Sequence, residues 1–151
     1  DAVKRNKNNF SLKINKFEFK LIDFAIKRRV PLIGICRGMH IINLYFGGKV
    51  SKNLNKSEKN THLKNNHSVK LQNKIKKIVN KSNIEVNSFH TQGFYEKNLG
   101  KGLKLGGVSN DNLVEAIYHE NYEIYGFQWH PERNSTLRSY DKKLFSKIIK
   151  K

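Results

Sequence analysis

Apolar and polar positions divide the chain into stretches of different period. From Lys16 onward, Phe17, Leu21, Phe24 and Ala25 recur at helical spacing, and Lys27, Arg28 and Arg29 crowd the last turn, where cations suit the negative end of a helix dipole. This predicts an amphipathic helix ending near Arg29. Residues 30–35, VPLIGI, are a continuous apolar run with a proline at its start, which fits a strand buried on both faces of a parallel sheet. After Cys36, the residues Met39, Ile41, Ile42, Leu44, Tyr45 and Phe46 are apolar nearly all round and predict a buried helix ended by Gly47 and Gly48. HSVKL and NIEVNSF read as short strands around a Lys-rich connection, and residues 102–132 alternate apolar with polar across the turn signals SNDN and HEN, a meander of strands. A closing helix is expected from about Thr136 to Lys150, whereas residues 1–15 and 51–66 read as a polar start and a long exposed loop. Helix followed by buried strand points to a single α/β domain, with no internal repeat.

Composition narrows this picture. A chain of 151 residues can bury a core without disulfide or metal staples. One cysteine forms no internal disulfide, and no secretory signal stands near the start, so a reducing cytoplasm is the expected location. No apolar run approaches the roughly 20 residues of a membrane-spanning helix. The formal charge of +18 would attract nucleic acid, anionic membrane or an acidic substrate. Its lysines are scattered and mixed with asparagine, without clustered arginine, interleaved aromatics or a nucleic-acid module, so a solvated surface rather than a specific nucleic-acid site is expected.

The lone cysteine stands in Gly34-Ile35-Cys36-Arg37-Gly38, the form of a nucleophile elbow between a buried strand and a helix. The turn strains the nucleophile's backbone, side chains at the flanking glycines would collide with the neighbouring strand and helix, and the helix N-terminus favours a thiolate. A small apolar cysteine in a core would look the same. QWHPE, residues 128–132, decides between the two readings, because a cysteine nucleophile needs a base and the base an orienting group. If the strand EIYGFQ continues through it, His130 and Glu132 share a face and Pro131 points away at the strand's end. His62, His67 and His119 lack a spacing with carboxylates that would build a metal site, so they read as surface or loop residues and no metal is expected.

These residues resemble the class I glutamine amidotransferase-like proteins, and within them the γ-glutamyl-γ-aminobutyrate hydrolase (peptidase C26) branch. The resemblance is carried by PLIGICRGMHIINLYFGG, VNSFHTQG, DNLVEAI and GFQWHPE, in family order from about Lys16 to Glu132. It implies a flavodoxin-like three-layer α/β fold, with a mostly parallel sheet, helices on both faces and a small antiparallel meander. It also implies a triad of Cys36, His130 and Glu132 that acts on a γ-glutamyl amide without a cofactor. The Arg37 backbone N–H would hold the oxyanion together with a second donor. In the family that donor lies in a glycine-rich loop preceding the region present here, so the 151 residues are expected to be catalytically poor on their own. Ser88, His90 and Gln92 are carried over as contacts to the glutamyl amino and carboxylate groups. His40, where the family usually has glutamine, would bind near them.

The first expectation is a cysteine hydrolase working through a γ-glutamyl thioester on a small-molecule conjugate. The alternatives are a glutaminase subunit that supplies ammonia to a synthetase and, in a different class, a catalytically impaired basic binding protein.

Overall fold

In a computed structural model the described residues are 12–51, 54 and 62–150. The polar start and most of the expected long loop, residues 1–11, 52–53 and 55–61, lie outside them. In chain order the elements are α1 (Leu12–Arg28), β1 (Leu32–Ile35), α2 (Arg37–Tyr45), β2 (Leu63–Leu71), α3 (Asn73–Val79), β3 (Asn83–Phe89), β4 (Leu103–Ser109), β5 (Val114–His119), β6 (Ile124–Phe127) and α4 (Ser139–Ile149). Short 3₁₀ turns occupy Glu96–Asn98 and Pro131–Arg133.

The strands form one sheet in the order β1-β6-β5-β4-β2-β3. The fold is α/β as expected, but among the described residues only β1 and β6 pair in parallel, and the other pairs are antiparallel. The meander extends the sheet itself, so the described sheet is mixed rather than mostly parallel. Helices cover both faces. Ile75 and Val79 of α3 and Tyr140, Leu144 and Ile148 of α4 pack on one face with Ile33, Ile35, Tyr125 and Phe127. Ile22 of α1 and Met39, Ile41, Ile42 and Leu44 of α2 pack on the other with Leu32, Ile117 and Ile124. Residues of β1 thus alternate between two cores, which is why its sequence is apolar without a gap.

Helix α2 is the anchor beneath the site. Its four core side chains are almost wholly removed from water, each such burial stabilising the fold by about 1.5–3 kcal/mol. It ends as expected: Phe46 N–H donates to Ile42 O, Gly48 N–H to Asn43 O, and Gly47 takes a φ of 86°. Helix α1 differs from the expected pattern. Ile22 and Ala25 are buried, with Phe19 and Ile26 packed beside them, whereas Phe17 and Phe24 are 63% and 54% exposed and Leu21 is also exposed. Of the stripe read from the sequence, Ala25 meets the described core, whereas Phe17, Leu21 and Phe24 face away from it. Strand β2 begins four residues before HSVKL, and the Lys-rich connection after it contains α3. None of the helices among the described residues is long and apolar enough to cross a membrane.

Candidate active site

Strand β1 stops at Ile35 and α2 begins at Arg37, leaving Cys36 at the junction with φ 49° and ψ −103°. A side chain in that backbone region is held at a cost of about 1–3 kcal/mol by its surroundings. Those surroundings are visible: Cys36 N–H donates to Phe127 O of β6 at 2.7 Å, and its carbonyl accepts the first helical bonds from Met39 and His40. The two flanking glycines are not equivalent. A Cβ on Gly34 would stand 2.5 Å from the Gly38 carbonyl carbon and 2.6 Å from Ile42 Cδ1, as expected for a crowded elbow. A Cβ on Gly38 would meet nothing within 4 Å among the described residues, so the collision expected there is absent.

The thiol is half-buried, and burial pushes its pKa above the ordinary value. The Arg37 backbone N–H and Arg133 pull it down, while Glu115 and Glu132 push it further up. The helix N-terminus therefore does not win, contrary to the expectation of a favoured thiolate, because desolvation outweighs one aligned N–H group. A thiol held neutral needs a base to become a nucleophile.

His130 Nδ1 lies 2.5 Å from Glu132 Oε1, so the expected pair is formed. The route to it differs from a continued strand. Strand β6 ends at Phe127, and Pro131 opens a 3₁₀ turn that folds Glu132 back onto His130. Asn87 fixes the base from behind, accepting from His130 N–H at 2.8 Å and donating to His130 O at 2.7 Å. Trp129, wholly buried, donates to Asp141 Oδ1 at 3.0 Å and ties the same segment to α4. The side-chain hydrogen bond at the Cys36 sulfur comes from Gln128 Nε2 at 3.4 Å, and among the described residues none joins the sulfur to His130. Gln128 Oε1 in turn lies 2.7 Å from His40 Nε2. Burial lowers the His40 pKa to about 4, so the ring is neutral and donates that proton.

His40, Ser88 and His90, which the resemblance placed near the substrate, are each buried and hydrogen-bonded within the protein. His40 is buried and reaches Cys36 only through Gln128. Ser88 is buried and donates to the His62 carbonyl at 2.7 Å. His90 is buried, with Nδ1 donating to Gln92 O at 2.8 Å and Nε2 facing Glu115 Oε1 at 3.5 Å. Both Ser88 and His90 point inward because positions two apart share one side of β3 and its extension. Gln92 is half-buried. Arg37 sends its side chain to Glu18, and its backbone N–H acts on the Cys36 thiol in the direction that favours the thiolate.

The surface or loop reading of His62, His67 and His119 also fails. His62 and His119 are buried, and His67 is half-buried with its side chain 7% exposed. The His119 ring lies against Phe46 and Tyr122, and its Nδ1 accepts from two backbone N–H groups. His62 and His67 meet Glu115, a carboxylate that the spacing argument did not connect to them. Gln128, Asn87 and Glu115 are the residues that sequence reasoning left without a role. The signal for Glu115 was one acid inside the apolar run LVEAI, and for Gln128 a polar residue two places before the base.

The Peptidase C26 family model matches residues 2–132. A Schizosaccharomyces pombe protein named as a glutamine amidotransferase is 36% identical, the alignment covering 87% of this chain and 54% of that one. The γ-glutamyl-CDP-amidate hydrolase of Campylobacter jejuni is 32% identical, with 87% and 58% covered. The γ-glutamyl-γ-aminobutyrate hydrolase of Escherichia coli is 30% identical, with 85% and 56% covered. The chain thus spans little more than half the length of these curated relatives. Among solved structures, a GMP synthase subunit from Thermoplasma acidophilum matches with a TM-score of 0.72 at 26% identity, covering 92% of this chain and 64% of that one.

Proposed function

The chain belongs to the Peptidase C26 family of glutamine amidotransferase-like hydrolases, and on that premise we propose that it carries the cysteine machinery for cleaving the γ-glutamyl amide bond of a small-molecule conjugate in a reducing cytoplasm. The observation that carries this reading is Cys36 held at φ 49° between β1 and α2, with the His130–Glu132 pair just past the end of β6, the strand that pairs with β1. Because Nδ1 of His130 is engaged by Glu132, Nε2 is the nitrogen that takes the thiol proton. Cys36 Sγ attacks the γ-carbonyl carbon, and the oxyanion is met by the Arg37 N–H. As the tetrahedral species collapses the C–N bond breaks, His130 Nε2 returns the proton to the departing amine, and a γ-glutamyl thioester remains. Water then gives a proton to His130 and its hydroxyl to the carbonyl carbon, releasing glutamate and the thiol. Catalytic hydrogen bonds are commonly long before substrate binds, which accommodates the present bond from Gln128 to the sulfur.

The test is hydrolysis of glutamine and a panel of γ-glutamyl amides by the wild-type chain and by Cys36→Ser. Loss of turnover in a folded variant is expected, and wild-type turnover in Cys36→Ser would overturn the reading. The likeness to the GMP synthase subunit favours one second reading, a glutaminase subunit that passes ammonia to a synthetase. Turnover confined to free glutamine and raised by an added synthetase would select it, whereas cleavage of amides with bulky amines, without a partner, selects the hydrolase.

A further inference from the structure

Behind the Gln128 segment, three histidines converge on one buried carboxylate oxygen, that of Glu115. His67 Nε2 lies 3.3 Å, His62 Nδ1 3.4 Å and His90 Nε2 3.5 Å from Glu115 Oε1. Donor atoms of His62, His67 and Glu115 all lie within 4.8 Å of one another. Glu115 has no exposed surface, and neither of its oxygens has a properly aligned hydrogen bond; nor have His67 Nδ1, His67 Nε2 and His90 Nε2.

The outer partners fix where the protons are. His90 Nδ1 lies 2.8 Å from Gln92 O, a carbonyl that only accepts, so a proton sits on Nδ1, and when the ring carries that proton alone the lone pair of Nε2 faces Glu115. His62 Nε2 lies 2.9 Å from Asp111 Oδ2, so in the neutral ring its proton sits there and the lone pair of Nδ1 faces Glu115. Ser88 Oγ, 3.5 Å from that Nδ1, gives its hydrogen to the His62 carbonyl and has none for the ring. Lone pairs aimed at an anion repel it. His67 has no partner on Nδ1 to fix its tautomer, so as a neutral ring it can donate from Nε2 to Glu115, whereas one cation placed among the rings would engage the lone pairs of His62 and His90 as well. Ligands about 2.0–2.1 Å from a tetrahedral zinc stand roughly 3.3 Å apart, close to the distance of each ring nitrogen from Glu115 Oε1, so small shifts of the rings would close them around an ion. The carboxylate on His62 and the carbonyl on His90 are also the outer partners that ligating histidines normally have.

We propose that His62, His67 and Glu115, whose donor atoms already converge, form with His90 drawn in from the neighbouring loop as fourth ligand a closed binding site for a zinc-class divalent ion. Three imidazoles and one carboxylate suit that class better than calcium or magnesium, which prefer all-oxygen shells. The two charges of the ion balance Glu115 and Asp111. With four protein ligands the site is structural. It joins the start of β2, the loop after β3 and the middle of β5, and Glu115 O also accepts from Gln128 N–H at 2.8 Å. The ion would therefore stiffen the wall on which Gln128 reaches Cys36. None of its ligands belongs to the triad, so this site and the hydrolase reading stand or fall separately.

The chain, stripped with a chelator and dialysed, is titrated with Zn²⁺ against a chromophoric competitor, and with Co²⁺ for its absorption spectrum. One ion per chain, a tetrahedral cobalt spectrum and a higher thermal midpoint with zinc are expected. Glu115→Gln and His67→Gln should abolish stoichiometric binding. Asp111→Asn, which leaves the four ligands in place, should weaken zinc by about 10–100-fold and keeps the test open if the buried variants fail to fold. Failure of the folded wild-type chain to bind either ion overturns the proposal, as does a six-coordinate cobalt spectrum. Unchanged zinc affinity in Asp111→Asn, or wild-type binding by a folded Glu115→Gln chain, overturns it equally.

Discussion

At Cys36 two local effects oppose each other, and their balance sets how the thiol responds to pH. Burial favours the neutral form, Glu115 and Glu132 add to it, and the Arg37 N–H and Arg133 work against it without prevailing. Only the thiolate reacts with an alkylating reagent. The folded chain should therefore be alkylated by iodoacetamide more slowly at pH 7 than a free thiol is, with a rate that climbs with pH to an inflection above the ordinary value of 9.0. Glu132→Gln removes one charge that raises the pKa and should move the inflection down. The same shift bears on stability. Through the window above 9.0 the unfolded chain loses its thiol proton before the folded one does, so the folded state binds more protons and stability falls as pH rises. An inflection at or below that of a free thiol, or one that moves up in Glu132→Gln, would contradict this balance.

The elbow depends on how closely β1, α2 and β6 approach, and its two glycines separate that requirement from mere convention. Gly34→Ala puts a methyl against the backbone of α2 at Gly38, which no rotamer change can relieve, so the strand and helix must part. Overpacking of that kind typically costs about 1–3 kcal/mol, and thermal unfolding should show it together with a loss of Cys36 reactivity. Gly38→Ala meets open space and replaces the poorest ordinary helix former with the best, a gain of up to about 1 kcal/mol. A midpoint that falls in Gly38→Ala as far as in Gly34→Ala would mean that the crowding is misplaced. The symmetry of the motif hid this difference, because two glycines in sequence say nothing about which faces a neighbour. A similar gap explains α1. Periodicity identifies residues that share a face, but Phe17, Leu21 and Phe24 share the face turned from the described core, and Ile22 and Ala25 carry the contact. Helix α2 was read correctly because a helix apolar on every side leaves no face to misassign.

Across the whole molecule, what was legible depended on sequence distance. Cys36 with its strand and helix, and His130 with Glu132, are local arrangements, and short motifs specify them. The histidine cluster around Glu115 depends on the pairing of β2 with β3 and β4 and of β4 with β5, which no spacing within one segment reveals. Net charge is a third kind of property, readable from composition yet silent about location. With 30 basic and 12 acidic side chains, the chain will attract any polyanion at low ionic strength, and the expectation of a solvated surface turns on how that attraction fades. Phosphate neutralisation releases counterions, so a protein making 6–10 such contacts loses about 10³–10⁵ in affinity between 50 and 200 mM salt. Binding of unrelated DNA and RNA fragments, followed by fluorescence anisotropy along a salt titration, should fall steeply, show no preference among sequences and vanish near physiological ionic strength. Base-edge contacts would behave differently, since they discriminate between sequences at any salt concentration. A sequence-selective complex that survives physiological salt would show that the basic residues form a nucleic-acid site rather than a solvated surface.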